Sequence, residues 1–89
     1  MRTYPMAIVE DRYGGTYSGG QWLAVGAFDT RDGSGYAART RLDFVMEHAH
    51  GSDPNVADFW AAVAPGLPWL AVGDTPDEAL VNLRARAGA

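Results

Sequence analysis

Apolar positions fall in short runs along the chain. Met6-Ala-Ile-Val-Glu10 is a compact apolar segment with β-branched Ile8 and Val9, and it predicts a first strand. Pro5 precedes it, where a missing N–H does least harm to a ladder. Trp22-Leu-Ala-Val-Gly26 returns as Trp69-Leu-Ala-Val-Gly73, and an Asp-Thr pair follows each copy, Asp29-Thr30 and Asp74-Thr75. Both copies predict strands of one sheet, over about Gln21–Phe28 and Pro68–Gly73. Two copies this short and this far apart do not make a repeat architecture.

Residues 36–48 fit two periods. As a strand, Tyr36, Ala38, Thr40, Leu42, Phe44 and Met46 share one face, with Arg39, Arg41, Asp43 and Glu47 on the other. As a helix, Leu42, Val45, Met46 and Ala49 share a face and Phe44 is left outside it. The strand accounts for more residues, and the Asp32-Gly33 turn before it is a hairpin signal. A strand is therefore the expectation here.

Two helices follow more clearly. Asp53 caps the first, Pro54 opens it, and Val56, Phe59, Trp60 and Val63 form its core face until Pro65-Gly66 stops it. Thr75-Pro-Asp-Glu78 is a capping box for the second. Its core residues are Leu80, Leu83 and Ala87, Arg84 and Arg86 lie in its last turn, and Gly88 ends it. The expected fold is a single α+β domain over residues 1–89, ordered β-β-β-α-β-α. One mostly antiparallel four-stranded sheet carries two helices.

Composition narrows the function classes. At 89 residues the chain has room for one modest core. With no cysteine, disulfide frameworks and thiolate metal sites are excluded. Eleven acidic residues against seven basic ones, all arginine, give a net charge of −4. That balance argues against direct nucleic-acid binding through bulk phosphate neutralisation and suits a partner with a basic surface. No apolar run is long enough for a membrane span, and the first residues do not form a secretory signal. A cytoplasmic protein without a cofactor is expected.

Chemistry-bearing residues are few. Asp11-Arg-Tyr-Gly-Gly-Thr-Tyr-Ser-Gly-Gly20 holds four glycines in ten residues, so it predicts a loop joining two antiparallel strands. Tyr13, Tyr17 and Arg12 are residue types that dominate binding hot spots, and glycine permits close approach by a partner. The alternative is a mobile loop whose tyrosines fold back on the sheet. It is not a phosphate loop, because it lacks the Gly-Lys-Ser/Thr ending. Glu47, His48, His50 and Asp53 cluster in sequence, but the histidine spacing fits no standard zinc site, and solvated loop residues are expected. Glu10, Asp11, Asp58 and Asp74 support a third reading, a ribonuclease H-like nuclease whose carboxylates hold magnesium.

Two stretches resemble known families. Trp69-Leu-Ala-Val-Gly-Asp-Thr-Pro-Asp-Glu-Ala-Leu-Val-Asn-Leu83, with Ile8-Val9-Glu10 and Trp22-Leu-Ala-Val25, resembles HicB-type antitoxins over about half the chain. Residues 30–67 form an insertion relative to that family, and the resemblance does not extend to its C-terminal DNA-binding segment. Tyr17-Ser-Gly-Gly-Gln-Trp-Leu23 and Asp53-Pro-Asn-Val-Ala-Asp-Phe-Trp60 resemble ArdA-type antirestriction proteins, which mimic DNA with acidic surfaces. This chain is shorter and much less acidic than they are. Both resemblances imply a protein that binds and inhibits a partner protein such as a toxin, a nuclease or a host-defence complex. An anti-CRISPR role belongs to the same class. The expected interface is Arg12, Tyr13, Tyr17, Asp53 and Asp58. The other class is a self-assembling module in which an uncovered sheet edge pairs two copies as a homodimer.

Overall fold

A computed structural model describes residues 4–30 and 40–88. Its elements are β1 (Met6–Glu10), β2 (Trp22–Gly26), α1 (Arg41–Ala49), α2 (Asp53–Asp58), β3 (Leu70–Gly73) and α3 (Pro76–Gly88). A π turn (Phe59–Val63) and a 3-10 turn (Ala64–Gly66) continue α2. The class is α+β, as the patterning predicts. Among the described residues the sheet has three strands in the order β1-β2-β3, and both pairings are antiparallel.

The two Trp-Leu-Ala-Val-Gly segments pair with each other. Trp22 lies opposite Gly73, Leu23 opposite Val72, Ala24 opposite Ala71 and Val25 opposite Leu70. The Gly26 N–H closes the ladder on the Trp69 carbonyl at 2.8 Å. Each pentapeptide thus reads its own sequence backwards across the ladder, and alanine meets alanine at the centre.

Helices cover both faces of this sheet. On one face Ala24 and Ala71 pack under Ala79 and Leu83 of α3. Small residues at the sheet centre let the helix lie close. On the other face Leu23, Val25 and Leu70 pack with Val45 and Ala49 of α1 and with Phe59 and Ala64. Burial on both faces explains why the pentapeptide is apolar at consecutive positions rather than alternating.

The strand expected over residues 36–48 is corrected: Arg41–Ala49 is α-helix. Thr40 caps it, accepting from the Asp43 N–H at 3.2 Å. The buried residues Val45 and Ala49 belong to the helical stripe. Phe44, which made the helix look unlike an amphipathic one, is not stranded. It meets Phe59 and Trp69 edge-on at ring centroids 6.0 and 6.2 Å apart, beside the stripe rather than on it. Residues 36–39 and the Asp32-Gly33 turn lie outside the described residues. The four-stranded sheet is accordingly replaced by three described strands, with helices on both sides.

Local details of α2 also differ from expectation. Ser52, not Asp53, occupies the cap position, and it makes no side-chain cap bond. Val56 and Phe59 are buried, Trp60 is half-buried and Val63 is 42% exposed. The π turn inserts extra winding at Phe59, which rotates Val63 off the core stripe. In α3 the cap is as predicted: Glu78 N–H donates to Thr75 Oγ1 at 3.1 Å. The Glu78 carboxylate reaches back to the Asp74 N–H at 3.2 Å. Leu83 is fully buried, while Leu80 and Ala87 are half-buried and Ala79 takes the closer contact with the sheet. Arg86 bonds the carbonyls of Ala64, Pro65 and Leu67 at 3.4, 3.1 and 2.8 Å. Its positive charge therefore closes the C-terminal end of the α2 segment, a different helix from its own.

Candidate functional site

The glycine-tyrosine loop between β1 and β2 is built on one buried carboxylate. Asp11 is 4% exposed, the one buried charged residue among those described. One of its oxygens accepts from the Tyr13 N–H at 3.2 Å. The other accepts from the Gly15 N–H at 2.9 Å and from the Ser18 hydroxyl at 2.7 Å. Its own N–H continues the strand ladder to the Gln21 carbonyl at 2.7 Å. A carboxylate holding several donors of one loop fixes that loop's shape, and charge-assisted bonds of this kind are about twice as strong as neutral ones.

Glycine is required where this loop turns on itself. Gly15 has φ +92°, and a Cβ there would stand 2.9 Å from the Gly20 carbonyl carbon. A Cβ on Gly20 would stand 2.8 Å from the Gly73 nitrogen, and one on Gly73 would stand 2.3 Å from the Ala79 nitrogen. Loop, β3 and α3 therefore touch backbone to backbone. A wedge of side chain at either contact would part them.

The other end of the loop is fastened to the α1–α2 turn. Arg12 donates to the His50 carbonyl and the Tyr13 hydroxyl donates to the Gly51 carbonyl. The Arg12 guanidinium lies 5.4 Å from the Tyr13 ring centre. Tyr17 meets Tyr13 edge-on, with centroids 5.4 Å apart and planes at 79°. The Tyr13 hydroxyl is raised above its ordinary pKa of 10.0, first by desolvation and then by its hydrogen bond and proximity to the Asp53 carboxylate; Arg12 opposes the shift. Arg12, Tyr13, Tyr17 and Asp53 thus come together at one place. Arg12 and Asp53 are exposed and the tyrosines are half-buried.

Asp58 does not join them. It lines an open groove of about 440 Å³ between α1 and the π turn, with Glu47, His48, Asn55, Phe59, Ala62 and Val63. His48 is not the solvated loop residue expected. It stacks flat on Phe59, at 5.4 Å and 10°, and packs against Phe44 at 4.6 Å. His50 ends α1 half-buried. Its Nε2 and the Trp60 Nε1 are the buried side-chain polar atoms without a partner among the described residues. Among those residues no three His, Asp or Glu side chains gather as metal ligands would, and Glu10, Asp11, Asp58 and Asp74 form no common cluster. No helix among them is long and apolar enough to cross a membrane.

Sequence reasoning singled out the loop but missed what holds it. Asp11 entered only as a candidate magnesium ligand. The one signal for its role was position: an acidic residue at the start of a glycine-rich turn, followed by serine seven residues on. Comparison with models of known protein families, with characterised proteins and with solved structures finds no match to this chain.

Proposed function

We propose that this chain is a small non-enzymatic inhibitor that binds another protein through Arg12, Tyr13, Tyr17 and Asp53, with Asp58 on the flanking groove. The settings that suit it are antitoxin pairing and mobile-element anti-defence, including anti-CRISPR and antirestriction roles, in the cytoplasm. The carrying observation is the anchoring of the loop on buried Asp11 and on the α1–α2 turn. A face assembled before its partner arrives avoids the ordering entropy that weakens flexible binders. Tyrosine and arginine beside an exposed carboxylate supply area, stacking and charge at that face. A net charge of −4 favours a basic partner.

The test is capture from a lysate of the native host, followed by assay of the captured nuclease or toxin. Wild type is compared with the Tyr17→Ala/Asp53→Lys double variant, whose fold is checked by circular dichroism. The expected result is a partner whose activity falls with wild type and is restored by at least tenfold weaker binding in the variant. Equal inhibition by a folded variant moves the interface elsewhere. A captured protein whose activity is unaffected sinks the inhibitor reading.

A further inference from the structure

The two edges of the sheet are not alike. At the β3 edge, the Leu70 N–H bonds the Leu67 carbonyl at 3.3 Å, and the Asn82 side chain of α3 bonds the Val72 carbonyl at 2.7 Å. The outward Leu70 N–H and Val72 carbonyl of that edge are thus taken by turn and side-chain contacts, which is how folded proteins blunt an exposed strand. At the β1 edge no such closure exists among the described residues. The register pairs Ala7 with Val25 and Val9 with Leu23. The Asp11 N–H to Gln21 carbonyl bond shows which pairs face inward: Asp11, Val9 and Ala7 bond β2, so the peptide groups of Met6, Ile8 and Glu10 point away from it. β1 is also the least covered strand. Its four apolar residues are all only part-buried, whereas Leu23, Ala24 and Val25 of β2 are fully buried. α3 packs mainly over β2 and β3.

From these observations we infer that β1 is a self-association edge, on which a second copy of this chain adds its own β1 antiparallel about a twofold axis at Ile8. The sequence is self-complementary in that register. Ile8 meets Ile8 of the second copy, Ala7 meets Val9, and Met6 meets Glu10, so no like charges face each other. The outward peptide groups of Met6, Ile8 and Glu10 bond their counterparts, and the sheet becomes six-stranded. The pairing is isologous: each copy spends its one β1 edge on the other, so assembly through this edge ends at the dimer. The part-buried Met6, Ile8, Ala7 and Val9 gain the cover that their own helices do not give them. This surface is independent of the one proposed for the inhibited partner, since neither Tyr13 nor Tyr17 takes part.

The experiment is sedimentation analysis of the full chain from about 1 to 500 µM (a span chosen to bracket ordinary dimer affinities). Beside wild type runs Glu10→Pro, which removes an outward N–H from an exposed position and leaves the bonds to β2 in place. Circular dichroism and thermal unfolding confirm its fold. Amide hydrogen exchange is followed at Met6, Ile8 and Glu10. The expected outcome is a mass that rises to twice the monomer's in wild type, with those three amides gaining protection as it rises, and at least a tenfold weaker dimer in Glu10→Pro. A wild-type mass that stays monomeric across the range overturns the inference. So does a dimer that the folded Glu10→Pro chain forms equally well, or protection of these amides that a different protein's strand alone produces.

Discussion

At Asp11 one carboxylate does the organising that a longer loop would need several residues to do. It is buried, it accepts from two backbone N–H groups and a hydroxyl, and its charge is answered by those donors. Removing it leaves buried donors without an acceptor, each costing about 1–3 kcal/mol. Asp11→Ala is expected to lower stability by about 2–4 kcal/mol in urea unfolding. A loss below about 0.5 kcal/mol, the ordinary surface range, would contradict the account. Gly73→Ala acts by overlap instead: its Cβ would meet the α3 backbone at 2.3 Å. The expected loss is about 3 kcal/mol or more, because the nearest atoms are backbone and cannot rotate away. At Tyr13 the sign runs the other way from an acid-labile carboxylate. Its pKa is raised in the fold, so the neutral hydroxyl is the favoured form. The stability it contributes is fully present below the ordinary value of 10.0 and is lost as pH climbs through the raised one. Absorbance titration should show a tyrosine component ionising above the ordinary value of 10.0, and Tyr13→Phe should remove that component.

Among the elements, α1 shows where sequence patterning stops. Residues 41–48 alternate well enough for a strand, and what decides for helix lies elsewhere in the chain. Thr40 supplies the cap, and Phe59 and Trp69 supply the aromatic neighbours that give Phe44 a place beside the helical stripe. Neither neighbour is visible in a local window. α3 was legible because its start signal is local: Thr75 and Glu78 lie within one turn of each other. Thr75→Ala is expected to cost about 1 kcal/mol, read from the shift of the urea midpoint. Arg86 was legible only as a charge at a helix end. That it binds three carbonyls of the α2 segment follows from tertiary packing. Arg86→Ala should cost about 1 kcal/mol, read from the same midpoint, since the three carbonyls lose the one guanidinium nitrogen they share.

For the whole molecule, class and strand positions were legible because the Trp-Leu-Ala-Val-Gly segments are unmistakable strand sequence. The layering was less so. Two helices were expected on the sheet with no face assigned to either, and which helix took which face depended on the small pair Ala24 and Ala71 opposite Ala79. The candidate face was half legible: composition marked the loop, while its docking on the α1–α2 turn joins residues 38 apart that no spacing rule connects.

The self-paired pentapeptide also bears on how the chain reaches this state. During folding, β2 must choose β3 of its own chain, but β2 or β3 of a neighbouring chain offers the same five residues in the same register. Only tethering distinguishes the right partner from the wrong ones, and tethering loses its advantage as chains crowd together. Interchain exchange of these strands is therefore the natural competitor to correct folding. Refolding from urea should give a monomer-equivalent fold in high yield when dilute and entangled oligomers at high concentration. Changing one copy alone, as in Leu23→Ile, should shift that balance more than its small effect on native stability would suggest.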